Sequence, residues 1–456
     1  MPSVDSRIVV KLTADLAVAL PYQDDLISVF PDELRHSWEA MLPGTTLDRT
    51  LPTVDPDAVR NKLALNEEAS GSGSENLLAF FALVAPPGAD PEALAASART
   101  LPFIEAAYIE QPLLPAGINF TDDPLVVAQG YLGPKPVGIN ALHAWAKSGG
   151  DGAGVKFVDV ENGFLLNHED LVDASGAVRI TTLPTGVGSS SIDALDHSTA
   201  VLGVMLATDN DRGIVGIAPN VKAFAAPISP NAPVGLDSAL IAIWLDPAFG
   251  IGTVVLLEFQ DFLGGPVETD LLVRSTIREL TRSEITVVVP AGNSGHDLNL
   301  IDNGHGRMFD RTSPFFFDSG AIMVAGANPG TNDRYVGTVH GPSCHGNRID
   351  CFAWGDGIVT ASAKAVVPGG LSGYTDGVTS SSGLFGGTSG AAAIVAGAAV
   401  SLQGMHQSGI GSFLRSSEVR TLLSDLTLNT PPAAFDAGRL GAMPDLERLA
   451  QQIGIP

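Results

Sequence analysis

The spacing of hydrophobic and polar residues divides the chain near residue 115. Before that point, three stretches have strand-like patterns, and one Ala/Leu-rich stretch begins with Asp-Pro, as a helix often does. The predicted strands are 7–12, 77–87 and 104–112, and the predicted helix is 90–101. Residues 1–115 therefore predict a small α+β domain. Residues 116–140 are interrupted by glycines and prolines, so we interpret them as a connecting segment.

Residues 141–456 alternate apolar strands with helices. Each predicted strand is apolar on both faces, which is typical of a parallel sheet covered by helices on both sides. The predicted strands are 154–160, 221–228, 253–259, 286–293 and 321–327, and the main predicted helices are 197–208, 236–245, 268–282, 389–405 and 417–424. The fold class predicted for this domain is α/β, a three-layer α/β/α sandwich with a mainly parallel sheet.

The net charge of the chain disfavours some classes of binding partner. Lys and Arg total 25 against 50 for Asp and Glu, a formal net charge of −25. Such a chain repels phosphate backbones and anionic lipid headgroups, so we predict no nucleic-acid and no membrane partner. The longest apolar run, near 391–400, is too short to span a bilayer. No signal-peptide pattern is visible at the start, so we expect either a cytoplasmic protein or secretion by a route that the sequence does not reveal.

Two cysteines, Cys344 and Cys351, lie close together in SCHGNRIDC. A hairpin turning midway between them would place them opposite each other, which permits a disulfide. Two reduced, buried thiols fit the sequence equally well. A zinc site that includes His340 and His345 is a third alternative, although the spacing matches no common zinc pattern.

Polar residues stand where predicted strands end or predicted helices begin. Asp159 ends the strand 154–160, His197 opens one helix, and Ser389 opens another within FGGTSGAAAIVAGAA. Taken singly, these are common turn and helix-capping residues. Together they supply a serine nucleophile, a base that can take its proton, and a carboxylate that can orient the base. A serine needs both of these partners to become reactive.

The order and surroundings of these motifs resemble the subtilisin-like serine proteases, or subtilases. The matching segments are VDVENGFLLNHEDL with Asp159, DHSTAVLG with His197, VPAGNSG with Asn293, and GGTSGAAAIVAG with Ser389. Asp159 is followed by Val-Glu-Asn-Gly, where family members have a short Thr-Gly or Ser-Gly. The resemblance spans about 140–425. It implies a subtilisin-like fold and a serine endopeptidase that acts on a peptide or protein substrate through an acyl-enzyme.

Catalytic roles follow from the resemblance. Ser389 would attack the scissile carbonyl, His197 would carry the proton, and Asp159 would orient the imidazole. The side-chain amide of Asn293 and the backbone N–H of Ser389 would form the oxyanion hole. We interpret Glu161 as a solvated loop residue, with a second carboxylate near the site as the alternative.

The same resemblance implies a pocket for the substrate side chain. Glu258, Phe259 and Gln260 would form one wall, and Ala291 and Gly292 the opposite wall. Glu258 either attracts a basic substrate side chain or is a structural carboxylate, and the sequence leaves both open.

The chemistry requires no cofactor, but subtilases often bind structural calcium. Asp122 with Asp123 would join such a site, and an acidic surface loop explains the pair equally well. The N-terminal domain resembles a subtilase propeptide in pattern. It would then serve as an intramolecular inhibitor and folding chaperone, with its last strand ending in the cleft and processing within 112–130. A permanent accessory domain is the alternative.

The sequence also bears on three other function classes. An α/β-hydrolase esterase is disfavoured, because position 391 is Ala rather than the Gly of Gly-x-Ser-x-Gly, and the candidate residues run Asp, His, Ser along the chain. A subtilase-fold peptide ligase or macrocyclase stays open, since it shares the acyl-enzyme and differs only in the acceptor. A non-proteolytic binding protein is a further alternative.

Overall fold

The computed structural model divides into two compact units, Met1–Pro115 and Ala116–Pro456. It describes residues 7–70, 76–86, 88–110, 118–228, 235–302, 304, 306–329, 337–364, 373–375 and 385–455. Residues 112–117, the first part of the predicted processing segment 112–130, lie outside the described residues.

The first unit is built on an antiparallel sheet of four strands in the order β2-β3-β1-β4. The strands are β1 Ile8–Leu12, β2 Thr46–Arg49, β3 Phe80–Val84 and β4 Ile104–Ile109, and the helices are α1 Ala14–Ala19, α2 Asp32–Met41, α3 Pro56–Ser70 and α4 Pro91–Ala98. Helix α4 begins as predicted, with the Asp90 side chain accepting from the Glu92 N–H. Trp38 of α2 is fully buried, and its indole N–H donates to Thr45 Oγ1 over 3.0 Å.

The second unit contains a parallel sheet of seven strands in the order β11-β10-β9-β8-β5-β7-β6. The strands are β5 Lys156–Glu161, β6 Thr181–Thr182, β7 Lys222–Pro227, β8 Thr253–Leu257, β9 Thr286–Pro290, β10 Ile322–Ala327 and β11 Cys351–Trp354. The helices are α5 Ala141–Trp145, α6 Ile192–Leu206, α7 Leu236–Leu245, α8 Leu271–Arg282, α9 Gly387–Ile410, α10 Ser416–Ser424 and α11 Leu446–Gln452. The predicted α/β fold with a mainly parallel sheet is confirmed.

Helix α9 forms the centre of this unit. It is long and apolar enough to cross a membrane, but 94% of its most apolar window is buried inside the domain. Small residues on α9 let another segment of the same chain approach closely. A Cβ added at Gly404 would lie 2.0 Å from the carbonyl oxygen of Gly149. The helix therefore packs as the core element of an α/β domain, and it brings its N-terminus to the sheet edge where β5 and β8 end.

One local prediction was wrong, and the structure decides a second point that the sequence left open. Helix α6 begins at Ile192 rather than at His197, because the Ser191 side chain caps the helix by accepting from the Ala194 N–H. The hairpin that would have placed the two cysteines opposite each other, one of the alternatives left open by the sequence, is not formed, because Cys351 begins β11 and pairs in parallel with Val324 of β10. Cys344 and Cys351 are both free and buried.

Candidate active site

The candidate site lies where the parallel strands end, the edge at which α/β proteins usually bind ligands. Glu161 is the last residue of β5, and Glu258 directly follows β8. The register pairs Val160 with Leu257, so Glu161 and Glu258 are neighbours across the two strands. Side chains alternate along a strand, which places Asp159 and Glu161 on the same face of the sheet.

His197 lies in the second turn of α6 and contacts Glu161. Its Nδ1 forms a short hydrogen bond with Glu161 Oε1. The other carboxylate oxygen of Glu161 accepts from the Asn162 N–H at 2.7 Å, which fixes the carboxylate from its own backbone. Burial alone lowers the pKa of His197, but the charge and hydrogen bond of Glu161, with the charge of Asp196, outweigh burial and raise it above its usual value. Glu161 is therefore placed to orient the imidazole and stabilise its protonated form.

The predicted contact between Asp159 and His197 is wrong. The Asp159 side chain is fully buried, and neither of its carboxyl oxygens has a hydrogen-bond partner among the described residues. Burial, with the nearby charge of Glu161, raises the pKa of Asp159 well above its usual value. Asp159 lies two residues before Glu161 on the same face of β5, and from that position its side chain does not bond His197.

Glu161 was the residue that the sequence prediction missed. It was expected in a solvated loop, yet its side chain is only 3% exposed. A signal was present in the sequence: Glu161-Asn162-Gly163 has the acid-x-Gly spacing that the subtilase pattern requires, two residues after Asp159. This signal was overlooked because the acid in the subtilase pattern is Asp, whereas this chain has Glu at position 161.

Ser389 lies in the first turn of α9, next to Asn293, which follows β9. Asn293 Oδ1 accepts from the Thr388 N–H at 2.9 Å. Because an N–H can only donate, this bond fixes the orientation of the Asn293 amide and turns its Nδ2 to the other side. There Nδ2 donates to Gln260 Oε1 over 3.3 Å. Gly387 has φ +67°, and a Cβ added there would lie 3.0 Å from Asn293 Oδ1, so this turn requires glycine.

A cavity of about 180 Å³ joins these groups, and its lining comprises His197, Glu258, Phe259, Gln260, Pro290, Asn293, Thr388 and Ser389. Six residues predicted for the site thus share one cavity. Ala291 and Gly292, predicted for the opposite wall, are not among its lining residues. Their backbone N–H groups instead bond Val324 O at 2.8 Å and Thr388 Oγ1 at 3.2 Å, so the two residues hold the loop in place.

Curated subtilisins are similar in sequence to this chain. Subtilisin DY from Bacillus licheniformis is 30% identical over 177 residues, which cover 38% of this chain and 61% of that protein. Subtilisin E from Bacillus subtilis is 27% identical over 287 residues, covering 61% of this chain and 64% of that protein. Subtilisin from Bacillus pumilus is 27% identical over 278 residues, covering 59% and 85%.

A solved structure has a fold similar to that of this chain. A solved protease from Pseudoalteromonas arctica has a TM-score of 0.52 and 19% identity, covering 73% of this chain and 99% of that chain. The chain thus resembles subtilisins in sequence and a solved protease in fold. It spans less than two thirds of the length of subtilisin DY and of subtilisin E. No family model matches it.

Glu258 is a buried carboxyl group in the wall of the cavity. Its residue exposure is 7%, and both carboxyl oxygens are without a hydrogen-bond partner in the part of the chain that the structure describes. Burial, followed by the charges of Glu161 and Asp159, raises the pKa of Glu258 well above its usual value, while the nearby hydroxyl of Ser389 acts in the opposite direction. The predicted attraction for a basic substrate side chain stays a prediction.

A second cluster of acidic side chains lies apart from the cavity lining. Asp122, Asp123 and Asp209 each offer one carboxylate oxygen, and these oxygens lie within 4.8 Å of one another. Asp123 is 2% exposed, and its Oδ2 has no hydrogen-bond partner among the residues described. Burial raises the pKa of Asp123 to about 7. A hard cation such as calcium, which prefers carboxylate ligands, fits this donor set.

Proposed function

We propose that this protein is a subtilisin-like serine endopeptidase that hydrolyses peptide bonds through Ser389, His197 and Glu161. The supporting observation is that one cavity brings Ser389, His197 and Asn293 together while Glu161 holds His197 from the other side. Glutamate in place of aspartate supplies the same carboxylate, with one more methylene to reach the imidazole.

The chemistry proceeds in two halves through an acyl-enzyme. Ser389 Oγ attacks the scissile carbonyl carbon, and His197 Nε2 takes the hydroxyl proton while Glu161 stabilises the imidazolium through Nδ1. His197 then gives the proton to the leaving amine. A water molecule attacks the resulting ester with His197 as the base, which releases the carboxylic acid and restores Ser389.

Hydrolysis is tested by incubating the protein with peptide substrates in ¹⁸O-water and identifying the products by mass spectrometry. We expect internal cleavage, with ¹⁸O from the solvent in the new carboxyl terminus and no such product from a Ser389→Ala preparation. An added amine acceptor that takes the acyl group in place of water would instead support the ligase alternative. Cleavage that persists in Ser389→Ala would refute the proposal.

Asn293 is proposed to stabilise the oxyanion together with the Ser389 backbone N–H. We expect Asn293→Ala to lower kcat by about 10²–10³, the range that holds for a subtilisin oxyanion-hole amide, with little change in KM. Steady-state kinetics on one peptide substrate measures both parameters. A fall in kcat of less than about fivefold would show that the Asn293 amide does not reach the oxyanion.

We also propose that the first unit is a propeptide, which inhibits the peptidase activity of the second unit and assists its folding. The support is its α+β architecture, which ends in β4, and its place before the peptidase unit. Intact mass spectrometry of the purified chain is expected to show loss of this unit, whereas Ser389→Ala keeps it. A full-length mass for the active protein would favour a permanent accessory domain.

A calcium ion is proposed at Asp122, Asp123 and Asp209, where it would stabilise the fold and take no part in the reaction. A ligand that binds only the folded state at about 100 times its Kd adds about 2.7 kcal/mol of stability. We therefore expect added calcium to raise Tm over a chelator-treated sample, and Asp123→Asn to remove that difference. An equal Tm with calcium and with chelator would argue against the site.

A further inference from the structure

The Glu258 carboxyl group has no role in the proposed mechanism, yet it lies in the same cavity as the nucleophile. Neither of its oxygens makes a hydrogen bond of normal geometry within the described residues, although a buried carboxyl group normally does, and the Ser389 hydroxyl lies near enough to lower its pKa. A polar group left unpaired in the resting cavity is placed to act during the reaction.

The groups that face Glu258 come from three elements. Strand β5 contributes Asp159 and Glu161, helix α6 contributes His197, and helix α9 contributes Ser389. Three carboxyl groups, Asp159, Glu161 and Glu258, thus lie close together, and only Glu161 is hydrogen-bonded to His197. Glu161 shares its charge with His197 through their hydrogen bond, whereas ionised Asp159 and Glu258 would add uncompensated charge in a buried place. Burial and mutual repulsion therefore favour the neutral acid form of Asp159 and Glu258.

A neutral carboxylic acid offers an O–H donor, which a carboxylate lacks. We propose that Glu258 is a catalytic residue that donates this hydrogen bond to Ser389 Oγ, leaving the Ser389 proton directed at His197. The inference rests on the proposed function of Ser389. When Glu258 loses its proton to solvent at high pH, the carboxylate can only accept. It then draws the Ser389 hydroxyl away from His197 and adds negative charge beside the developing oxyanion.

Support for the assignment comes from the environment of the group. Burial and the neighbouring carboxylates raise the pKa of Glu258, so the acid form persists above the usual range of a glutamate. Because the folded state then holds a proton that the unfolded state releases, the stability of the native chain falls as pH rises above the unfolded pKa of a glutamate. An isosteric amide at position 258 removes the contribution of Glu258 to this dependence, while that of Asp159 stays.

The test compares the native protein with Glu258→Gln and Glu258→Leu in the rate at which a fluorophosphonate labels Ser389, measured across pH. We expect the native rate to fall by about tenfold per pH unit on the alkaline side, as one ionisation requires. Glu258→Gln keeps an N–H donor and cannot ionise. It should be slower than the native protein at neutral pH and faster at alkaline pH, so that the two curves cross. Glu258→Leu has no donor and should label about three- to tenfold more slowly than Glu258→Gln.

The pH dependence of Ser389 labelling in these proteins either supports or overturns the proposal. Curves that cross support the proposal, whereas an alkaline fall that persists in Glu258→Gln, or a native rate without any alkaline fall, overturns it. Equal rates for Glu258→Leu and Glu258→Gln would overturn the donor role. If Glu258→Leu does not fold, as judged by thermal unfolding, the Glu258→Gln curve alone decides. A native protein that is never labelled on Ser389 would refute the proposed function as well, which separates that failure from this one.

Discussion

Replacement of Glu161 by glutamine is expected to lower kcat by about 10⁴, the size of the loss when the orienting carboxylate of a serine protease becomes an amide. Glu161 is the carboxylate that contacts His197 Nδ1, and without it the wrong imidazole tautomer is favoured. The charge of Glu161 also raises the pKa of His197 against the effect of burial. Because the base acts when neutral, the acid limb of the kcat profile should move to lower pH in Glu161→Gln. Peptide hydrolysis followed across pH measures both effects.

Asp159→Asn is the matched control for this experiment. It changes a buried acid of the same strand into its isosteric amide, but the Asp159 carboxyl has no contact with His197. We expect kcat to fall by far less than in Glu161→Gln, and Glu161→Asp to retain more activity than Glu161→Gln. A 10⁴-fold loss in Asp159→Asn with a small loss in Glu161→Gln would reverse the assignment of the orienting carboxylate.

Arg348→Met is expected to lower the free energy of unfolding by about 3–5 kcal/mol, because it breaks a buried ion-pair network. Arg348 is fully buried, and its guanidinium bonds Asp350 at 2.5 Å and the Ala321 carbonyl at 3.0 Å. It also lies 3.6 Å from Glu268, a carboxylate that is 1% exposed. Its loss leaves Glu268 without this cation in a buried place. Urea unfolding of the two proteins measures the difference.

A double-mutant cycle with Glu268→Gln shows where the cost of Arg348→Met arises. Asp350 keeps Arg311 at 2.8 Å and Arg420 at 3.0 Å, whereas Glu268 depends on Arg348 for its nearest ion pair. Glu268→Gln should therefore recover part of the stability lost in Arg348→Met, with a coupling energy of about 0.5–3 kcal/mol. Purely additive effects would show that the two residues do not interact.

The strands of the second unit could be predicted because each is buried on both faces and therefore reads as a continuous apolar run. Strands β8, β9 and β10 are buried along their whole length, and each was found within two or three residues of its predicted end. The first unit was harder. Helix α2 has only Trp38 buried, and the short strand β2 has a single buried residue, so neither presents the apolar pattern that marks an element.

At the site, the sequence indicated the right strands and helices but could not assign the contacts between them. Asp159 and Glu161 point to the same side of β5, and only the position of α6 decides which one meets His197. That position depends on packing against α9, which no local pattern contains. The Gln260 contact with Asn293 is equally invisible in sequence, since it joins residues from two loops.

The most direct test of the account is peptide mass spectrometry after fluorophosphonate labelling of the native protein, with His197→Ala and Ser389→Ala labelled in parallel. An activated serine requires the base beside it, so the account predicts a single adduct on Ser389, strongly slowed in His197→Ala and missing in Ser389→Ala. An adduct on another serine, or labelling of Ser389 at the native rate without His197, would contradict it.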